Sequence, residues 1–245
     1  MRQSVHGKAL TAIVTAMTEH ADCAKDVAGQ AAAQMIESGM KIGLGSGSTF
    51  LRFLEHLATR VREEGLDVVG VPTSEGTASR ARELKIPLTT LEEVSVLDID
   101  IDGADEVDPA KHMIKGGGAA LCREKIVAAA SREMVVLVGE NKMVPVLGQQ
   151  FLLPVEVMTF GWQQAAAKLS DLGCITQLRM ADERPLITDN HNFIVDCIIP
   201  NGIADPAAME QVINAIPGVL ENGLFVNMAG RILVGNDQGD VRLIP

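Results

Sequence analysis

Apolar residues recur along the first two-thirds of the chain at two alternating periods. Within Ser48–Glu64 they fall at Phe50, Leu51, Leu54, Leu57, Ala58 and Val61, the spacing of one helix face. Residues 21–37, 75–84 and 119–132 read as further helices, the first stopped by Ser38-Gly39 and the second ending before Pro87. Between the helices lie short runs that read as strands, at Lys41–Leu44, 67–71, 96–101 and 134–138. Strands alternating with helices predict right-handed βαβ units. The fold class expected is therefore α/β, with a doubly wound, Rossmann-like parallel sheet. In such a sheet ligands bind beyond the carboxyl ends of the strands.

The pattern changes near Pro145 to Pro154. Beyond it come a helix over 163–172, a strand over 175–180, a turn at Thr188-Asp189-Asn190 and a strand over 193–199. A helix over 206–216 and a short strand over 224–227 follow, and a returning strand over 231–235 closes the sequence of elements. This order predicts a second, smaller α+β domain. The expected division is 1–148 plus 225–245 as the catalytic domain and 149–224 as the small one.

Charge and composition narrow the function. The 245 residues carry 32 acidic and 21 basic side chains, a net charge of −11, which argues against a nucleic-acid partner. There is no Tyr and a single Trp, Trp162, so aromatic platforms for bases are scarce as well. No apolar run approaches the roughly 20 residues of a membrane helix, so no membrane partner is expected. Arg2 and Lys8 before the apolar stretch 9–17 faintly resemble a signal peptide, but Thr11 and Thr15 interrupt it and no small-residue cleavage site follows. The four cysteines, Cys23, Cys122, Cys174 and Cys197, form no CxxC pair or zinc spacing; reduced thiols and a cytoplasmic setting follow. Cys122 reads as a small packing residue.

Three segments carry chemistry. The turn Gly43-Leu44-Gly45-Ser46-Gly47-Ser48-Thr49 runs from a strand into a helix start, where backbone N–H groups and the helix dipole favour an anion. An ordinary tight βα turn capped by Ser48 would use the same residues. The turn lacks the sixth-position glycine of a dinucleotide fingerprint and the lysine of a P-loop. Asp102-Gly103-Ala104-Asp105 ends a strand with two carboxylates suited to acid/base work. Its approach, Asp98-x-Asp100-x-Asp102-Gly103, copies the start of an EF-hand loop, but the twelfth position is Pro109 instead of a bidentate Glu. Glu106 and Asp108 read as a solvated acidic turn. Lys115-Gly116-Gly117-Gly118 precedes the helix bearing Glu124. A lysine among glycines can approach a substrate closely and stabilise a developing oxyanion. Glu124 reads as a base or, between Arg123 and Lys125, as a surface salt-bridge residue. Lys142 reads as a further anion contact or a surface lysine.

Together these segments resemble the type A family of ribose-5-phosphate isomerases. The resemblance rests on Ile101-Asp102-Gly103-Ala104-Asp105-Glu106, on Ile114-Lys115-Gly116-Gly117-Gly118-Ala119, and on Arg123-Glu124-Lys125-Ile126. Leu153-Pro154-Val155-Glu156-Val157, Thr188-Asp189-Asn190 and Ala215-Ile216-Pro217-Gly218-Val219 support it. It implies interconversion of ribose 5-phosphate and ribulose 5-phosphate. It also implies that Lys25 and Ser46-Gly47-Ser48-Thr49 bind substrate, mainly its phosphate. Asp102 and Asp105, with Gly103 and Ala104 between them, would meet sugar hydroxyls, Asp102 assisting ring opening. Lys115 would stabilise the enediolate beside Gly116, Gly117 and Gly118, Glu124 would be the base, and Lys142 another contact. No metal or organic cofactor is implied, and a homodimer or homotetramer is. This chain departs at Ser46, where many members have Thr, and at Gly139-Glu140-Asn141-Lys142, where Asp-x-Ser-Lys is frequent. Two other classes compete. A sugar-phosphate-sensing module would not need Lys115 and Glu124 together, and an acyl-CoA transferase would use a Glu as nucleophile.

Overall fold

The computed structural model describes residues 22–245. The apolar stretch 9–17 lies outside the described residues. A helix over 22–34 (α1) leads into β1 (Lys41–Leu44), followed by α2 (Ser48–Glu64), β2 (Val69–Pro72) and α3 (Glu75–Glu83). Then come β3 (Ile99–Gly103), α4 (Leu121–Ala129) and β4 (Met134–Gly139). The smaller part contains β5 (Leu153–Val157), α5 (Trp162–Asp171), β6 (Ile175–Leu178), β7 (Phe193–Ile198), α6 (Pro206–Asn214) and β8 (Val219–Asn222). The chain ends in β9 (Ala229–Gly235) and β10 (Val241–Ile244).

The central sheet has the order β10-β9-β4-β3-β1-β2. All neighbouring pairs are parallel except β9 with β10. Reading only the parallel strands in chain order, β1 and β3 are neighbours that lead off in opposite directions, the switch point where an open α/β sheet binds ligands. A four-stranded antiparallel sheet, β8-β5-β7-β6, stands beside it. The α/β class and the smaller α+β part are thus as the sequence predicts.

Strand alternation divides the core. Ile99, Ile101, Val135, Leu137 and Leu233 face α1 and α2, packing with Phe50, Phe53, Leu54 and Leu57. Each of those side chains is fully buried, a contribution of roughly 1.5–3 kcal/mol apiece. Met134, Val136, Val138, Ile232 and Val234 face the other way, toward α4. Asp100 and Asp102 alternate with Ile99 and Ile101, so they also face α4, and both are fully buried. Two carboxyl groups thus occupy positions that an ordinary strand would fill with Val or Ile.

Two corrections follow from long-range packing. Glu106 is not a solvated turn residue: it is 1% exposed. Its carboxylate accepts the N–H groups of Gly148 (2.5 Å), Gln150 (2.7 Å) and Phe151 (2.6 Å), all more than 40 residues away. Asp108 does cap a turn, through the N–H groups of Ala110 and His112. The second helix of the motif region is shorter than predicted. Ala119 adopts φ 60°, so α4 starts at Leu121, and Ser131 and Arg132 leave it to pair with Leu97.

Candidate active site

The first wall of the site is the β1–α2 turn. Gly47 stands at the N-cap of α2 with φ 87°, and no side chain among the described residues caps the helix. The capping role open to Ser48 is therefore not taken, and the first helical N–H groups remain available to an anion. At the other end α2 closes on Gly65, at φ 68°.

The floor is formed where β3 ends beside that turn. Asp102 Oδ1 accepts the N–H of Ser46 (2.8 Å) and of Gly103 (2.7 Å), so the carboxylate ties the glycine turn to its own strand end. Asp102 Oδ2 lies 2.9 Å from Lys115 Nζ, and Glu124 Oε2 lies 3.3 Å from the same nitrogen. Lys115 also donates to Gly103 O at 2.6 Å. The Ser46 hydroxyl donates to Glu124 Oε1. Lys115 is 3% exposed and Glu124 4%; Glu124 is therefore no surface salt-bridge residue, despite Arg123 and Lys125 on either side. Those neighbours turn outward to partners of their own: Lys125 to Glu210 and Glu221, and Arg123 to Glu75, Asp189 and Asn190.

This is one buried ammonium between two carboxylates, and its protonation follows. Burial raises Asp102 to about 7, opposed by the charge of Lys115 and the Ser46 N–H. Burial pushes Lys115 down, but Asp102 and Glu124 outweigh it, and the ammonium is held above its ordinary range. Burial also raises Asp105, against the Gly117 N–H and Lys115. That N–H donates to Asp105 Oδ2 at 2.8 Å and folds the glycine run over the site.

A cavity of about 340 Å³ opens above this floor. Ser46, Gly47, Ser48 and Thr49 line it. Gly103, Ala104, Asp105, Lys115, Gly116, Gly117 and Gly118 do so too, as does Glu124. Lys25 and Lys142 complete its charged lining. Lys25 lies 3.7 Å from Asp22, and Lys142 stands over the Phe151 ring at 5.8 Å. Every predicted site residue except Asp102 lines this space; Asp102 lies beneath it, fully buried. Ala24, Gly139 and Asn141 line it as well. Ala24 is a small residue in a helix and left no chemical signal in the sequence. Cys122 is buried and burial raises its thiol to about 11, in keeping with a packing role.

A parallel sheet whose switch point presents a buried ammonium between two carboxylates, beside an uncapped helix start, defines an enzyme that moves protons on a small anionic substrate. Comparison with known proteins gives the class its name. The family model described as ribose 5-phosphate isomerase A (phosphoriboisomerase A) matches residues 69–239. Ribose-5-phosphate isomerase A of Methanoregula boonei is 52% identical over 88% of this chain and 91% of its own. The ribose 5-phosphate isomerase of Plasmodium falciparum superposes with a TM-score of 0.88 at 38% identity, covering 91% of this chain and 98% of that one. A D-ribose-5-phosphate isomerase in complex with phospho-erythronic acid gives 0.86 at 41% identity, over 90% and 96%. The chain belongs to the ribose 5-phosphate isomerase A family.

Proposed function

We propose that the chain interconverts D-ribose 5-phosphate and D-ribulose 5-phosphate through an enediolate, a step of non-oxidative pentose phosphate metabolism, with Glu124 as base and Lys115 as oxyanion partner. The observation that carries this reading is Lys115 Nζ, 2.9 Å from Asp102 and 3.3 Å from Glu124 on the floor of the cavity. The open-chain sugar lies with C1 and C2 above that floor. Glu124 takes the proton from C2, the electrons form the C1–C2 double bond, and the aldehyde oxygen becomes the enediolate oxygen that Lys115 stabilises. The O2 proton passes to O1, and the proton on Glu124 returns to C1, leaving the ketone at C2. The phosphate binds the Ser46-Gly47-Ser48-Thr49 turn, with Lys25 and Lys142 adding charge. Its binding holds the reacting carbons in place from a distance.

Asp105, with Gly103 and Ala104, faces the sugar hydroxyls, and Gly116, Gly117 and Gly118 close over them. Asp102, to which the family resemblance gives ring opening, lies below the floor. In this reading it acts by holding Lys115 and the glycine turn. The same reading carries a cytoplasmic homodimer or homotetramer with no metal or organic cofactor and no nucleic-acid or membrane partner. Residues 1–148 with 225–245 form its catalytic unit and 149–224 the smaller one.

The test is conversion of ribose 5-phosphate in chelator-treated solution, comparing the protein with Glu124→Gln. Turnover that falls by about 10²–10⁴ in a folded variant still binding pentose phosphate is the expected result. Undiminished turnover in the variant overturns the role of Glu124. Binding without any turnover by the unaltered protein overturns the reaction.

A further inference from the structure

Among the buried acids outside the scheme above, one has both carboxyl oxygens unpartnered among the described residues. Asp100 is two residues before Asp102 on the same face of β3 and is fully buried. Neither of its carboxyl oxygens has a hydrogen-bond partner among the described residues. Space for it is made on the neighbouring strand: Gly43 is its register partner, and a Cβ there would lie 2.4 Å from Asp100 Oδ1. Val127 of α4 closes the other side, since its Cγ1 would lie 2.7 Å from that same Cβ. A glycine on one strand and an acid on the next are thus matched in shape, deep in a core.

An ionised carboxylate so placed would be a buried charge without a counter-ion, which costs several kcal/mol and is avoided by holding a proton. The charges around it point the same way. Asp102 on its own strand and Glu124 on α4 add carboxyl groups and no cation, and Lys115, the cation of the cluster among the described residues, is already shared between them. Asp98, just before β3, is tied to Arg132 and to the Lys41 N–H. Glu133, whose carbonyl accepts the Asp100 N–H, has its side chain paired with Arg231. Burial first, and then Asp102, hold the Asp100 carboxyl well above the usual range, Lys115 opposing them.

We propose that Asp100 is a positioning residue for the isomerisation: its neutral carboxyl backs the Asp102–Lys115–Glu124 cluster, and loss of its proton closes the active range on the alkaline side. A second uncompensated negative charge behind the floor draws the Lys115 ammonium inward, away from the developing oxyanion, and disfavours ionised Asp102. The inference rests on the isomerase reading. Its failure is distinguishable from failure of that reading, because the unaltered protein serves as the activity control.

The experiment is the pH dependence of kcat from pH 6 to 10 at saturating ribose 5-phosphate, for the unaltered protein and Asp100→Asn. The amide has the shape of the carboxyl and cannot ionise. The result expected is kcat within about threefold of the unaltered protein at pH 7, with the alkaline limb displaced upward by one pH unit or more. Superimposable alkaline limbs overturn the proposal, as does a tenfold or greater loss at pH 7 in a folded variant. Should Asp100→Asn fail to fold, Asp100→Ala carries the same readout, since it too removes the ionisation.

Discussion

Gly45 lies so close to Asp102 that a Cβ on it would stand 2.2 Å from the carboxylate carbon. With Gly43 of β1 against Asp100, this makes the strand end and its glycine-rich turn a surface shaped to the acids of β3.

Gly45→Ala therefore forces either the turn or Asp102 to move. Overpacking of this kind typically costs about 1–3 kcal/mol. The displaced group here also holds Lys115 and the Ser46 N–H. The expected outcome is a fall in kcat of at least tenfold with a lowered Tm. Gly76, which has only the Ser74 hydroxyl at 3.8 Å from its Cβ position, provides the control: Gly76→Ala should leave kcat within a factor of two. Equal effects at the two sites would contradict the close-fit account.

Lys115→Met should be damaging in two separable ways. It removes the proposed oxyanion partner and leaves Asp102 and Glu124 without their shared cation. Breaking a buried pair from one side costs roughly 3–5 kcal/mol when the remaining charge is kept. Lys115→Arg should not restore activity, because a planar guanidinium cannot replace a compact ammonium in a site that is 3% exposed. Steady-state kinetics and urea denaturation of both variants check this; an Arg variant with more than a tenth of the original kcat would contradict it.

The order of elements and the members of the site were legible for related reasons. Strands buried on both faces are apolar runs, and most of the polar residues that line the cavity follow strand ends, with Glu124 on α4 an exception. The boundaries were less legible. The strand expected at 96–101 is observed at Ile99–Gly103 because Leu97 bridges to Ser131 outside the regular ladder. The edge strand Val241–Ile244 has no clean alternation, only half-buried ends around an exposed Arg and Leu. The buried acids were illegible for another reason. Glu106 is satisfied by backbone N–H groups, and any residue has those; nothing in residues 148–151 announces a partner. Glu156 is held by Thr188, Asn190 and Asn192, a set the sequence shows only as a turn.

Glu106→Ala is expected to loosen the 148–151 loop. Three N–H groups lose their acceptor, and each buried donor left unsatisfied costs about 1–3 kcal/mol, less where water reaches it. Phe151 sits in that loop, under Lys142 and against Gly117. The variant should raise KM for ribose 5-phosphate several-fold while changing kcat less, alongside a clear loss of stability. A stability loss with KM unchanged would separate the loop from substrate binding.

Arg123→Ala tests whether the small domain orients Glu124, the proposed base. Arg123 donates to Asn190 Oδ1 (2.9 Å) and Asp189 O (3.0 Å), and Asp189 Oδ2 accepts the Glu75 N–H at 2.8 Å. The turn so fixed is itself anchored on the buried carboxylate of Glu156. Arg123 does not line the cavity, yet Glu124 is its chain neighbour. Small displacements of a catalytic group can cost up to about 10²-fold. The expected outcome is a kcat reduced about tenfold with KM nearly unchanged. Removal of the exposed Arg62, paired among the described residues only with its neighbour Glu63, should do nothing. A change in KM alone would assign Arg123 to substrate binding.

The buried acids also give stability an unusual dependence on pH. Asp102 is raised to about 7 and Asp100 is raised well above its ordinary value, both first by burial. In the unfolded chain both ionise near pH 4. Between these limits the folded state holds more protons than the unfolded one, so stability is fully present below about pH 4 and is lost as pH rises through the folded values. Lys115 adds no slope in this window, because its raised ammonium is protonated in both states there. Each extra bound proton corresponds to at most about 1.4 kcal/mol per pH unit. The unfolding free energy from urea titrations, without phosphate, should therefore fall between pH 5 and 7, by at most about 5 kcal/mol for the two acids together. Asp100→Asn should fall less steeply over the same range. A flat or rising profile in the unaltered protein would mean that both acids are ionised in the fold, with Lys115 neutralising more of the cluster than its 2.9 Å and 3.3 Å contacts imply.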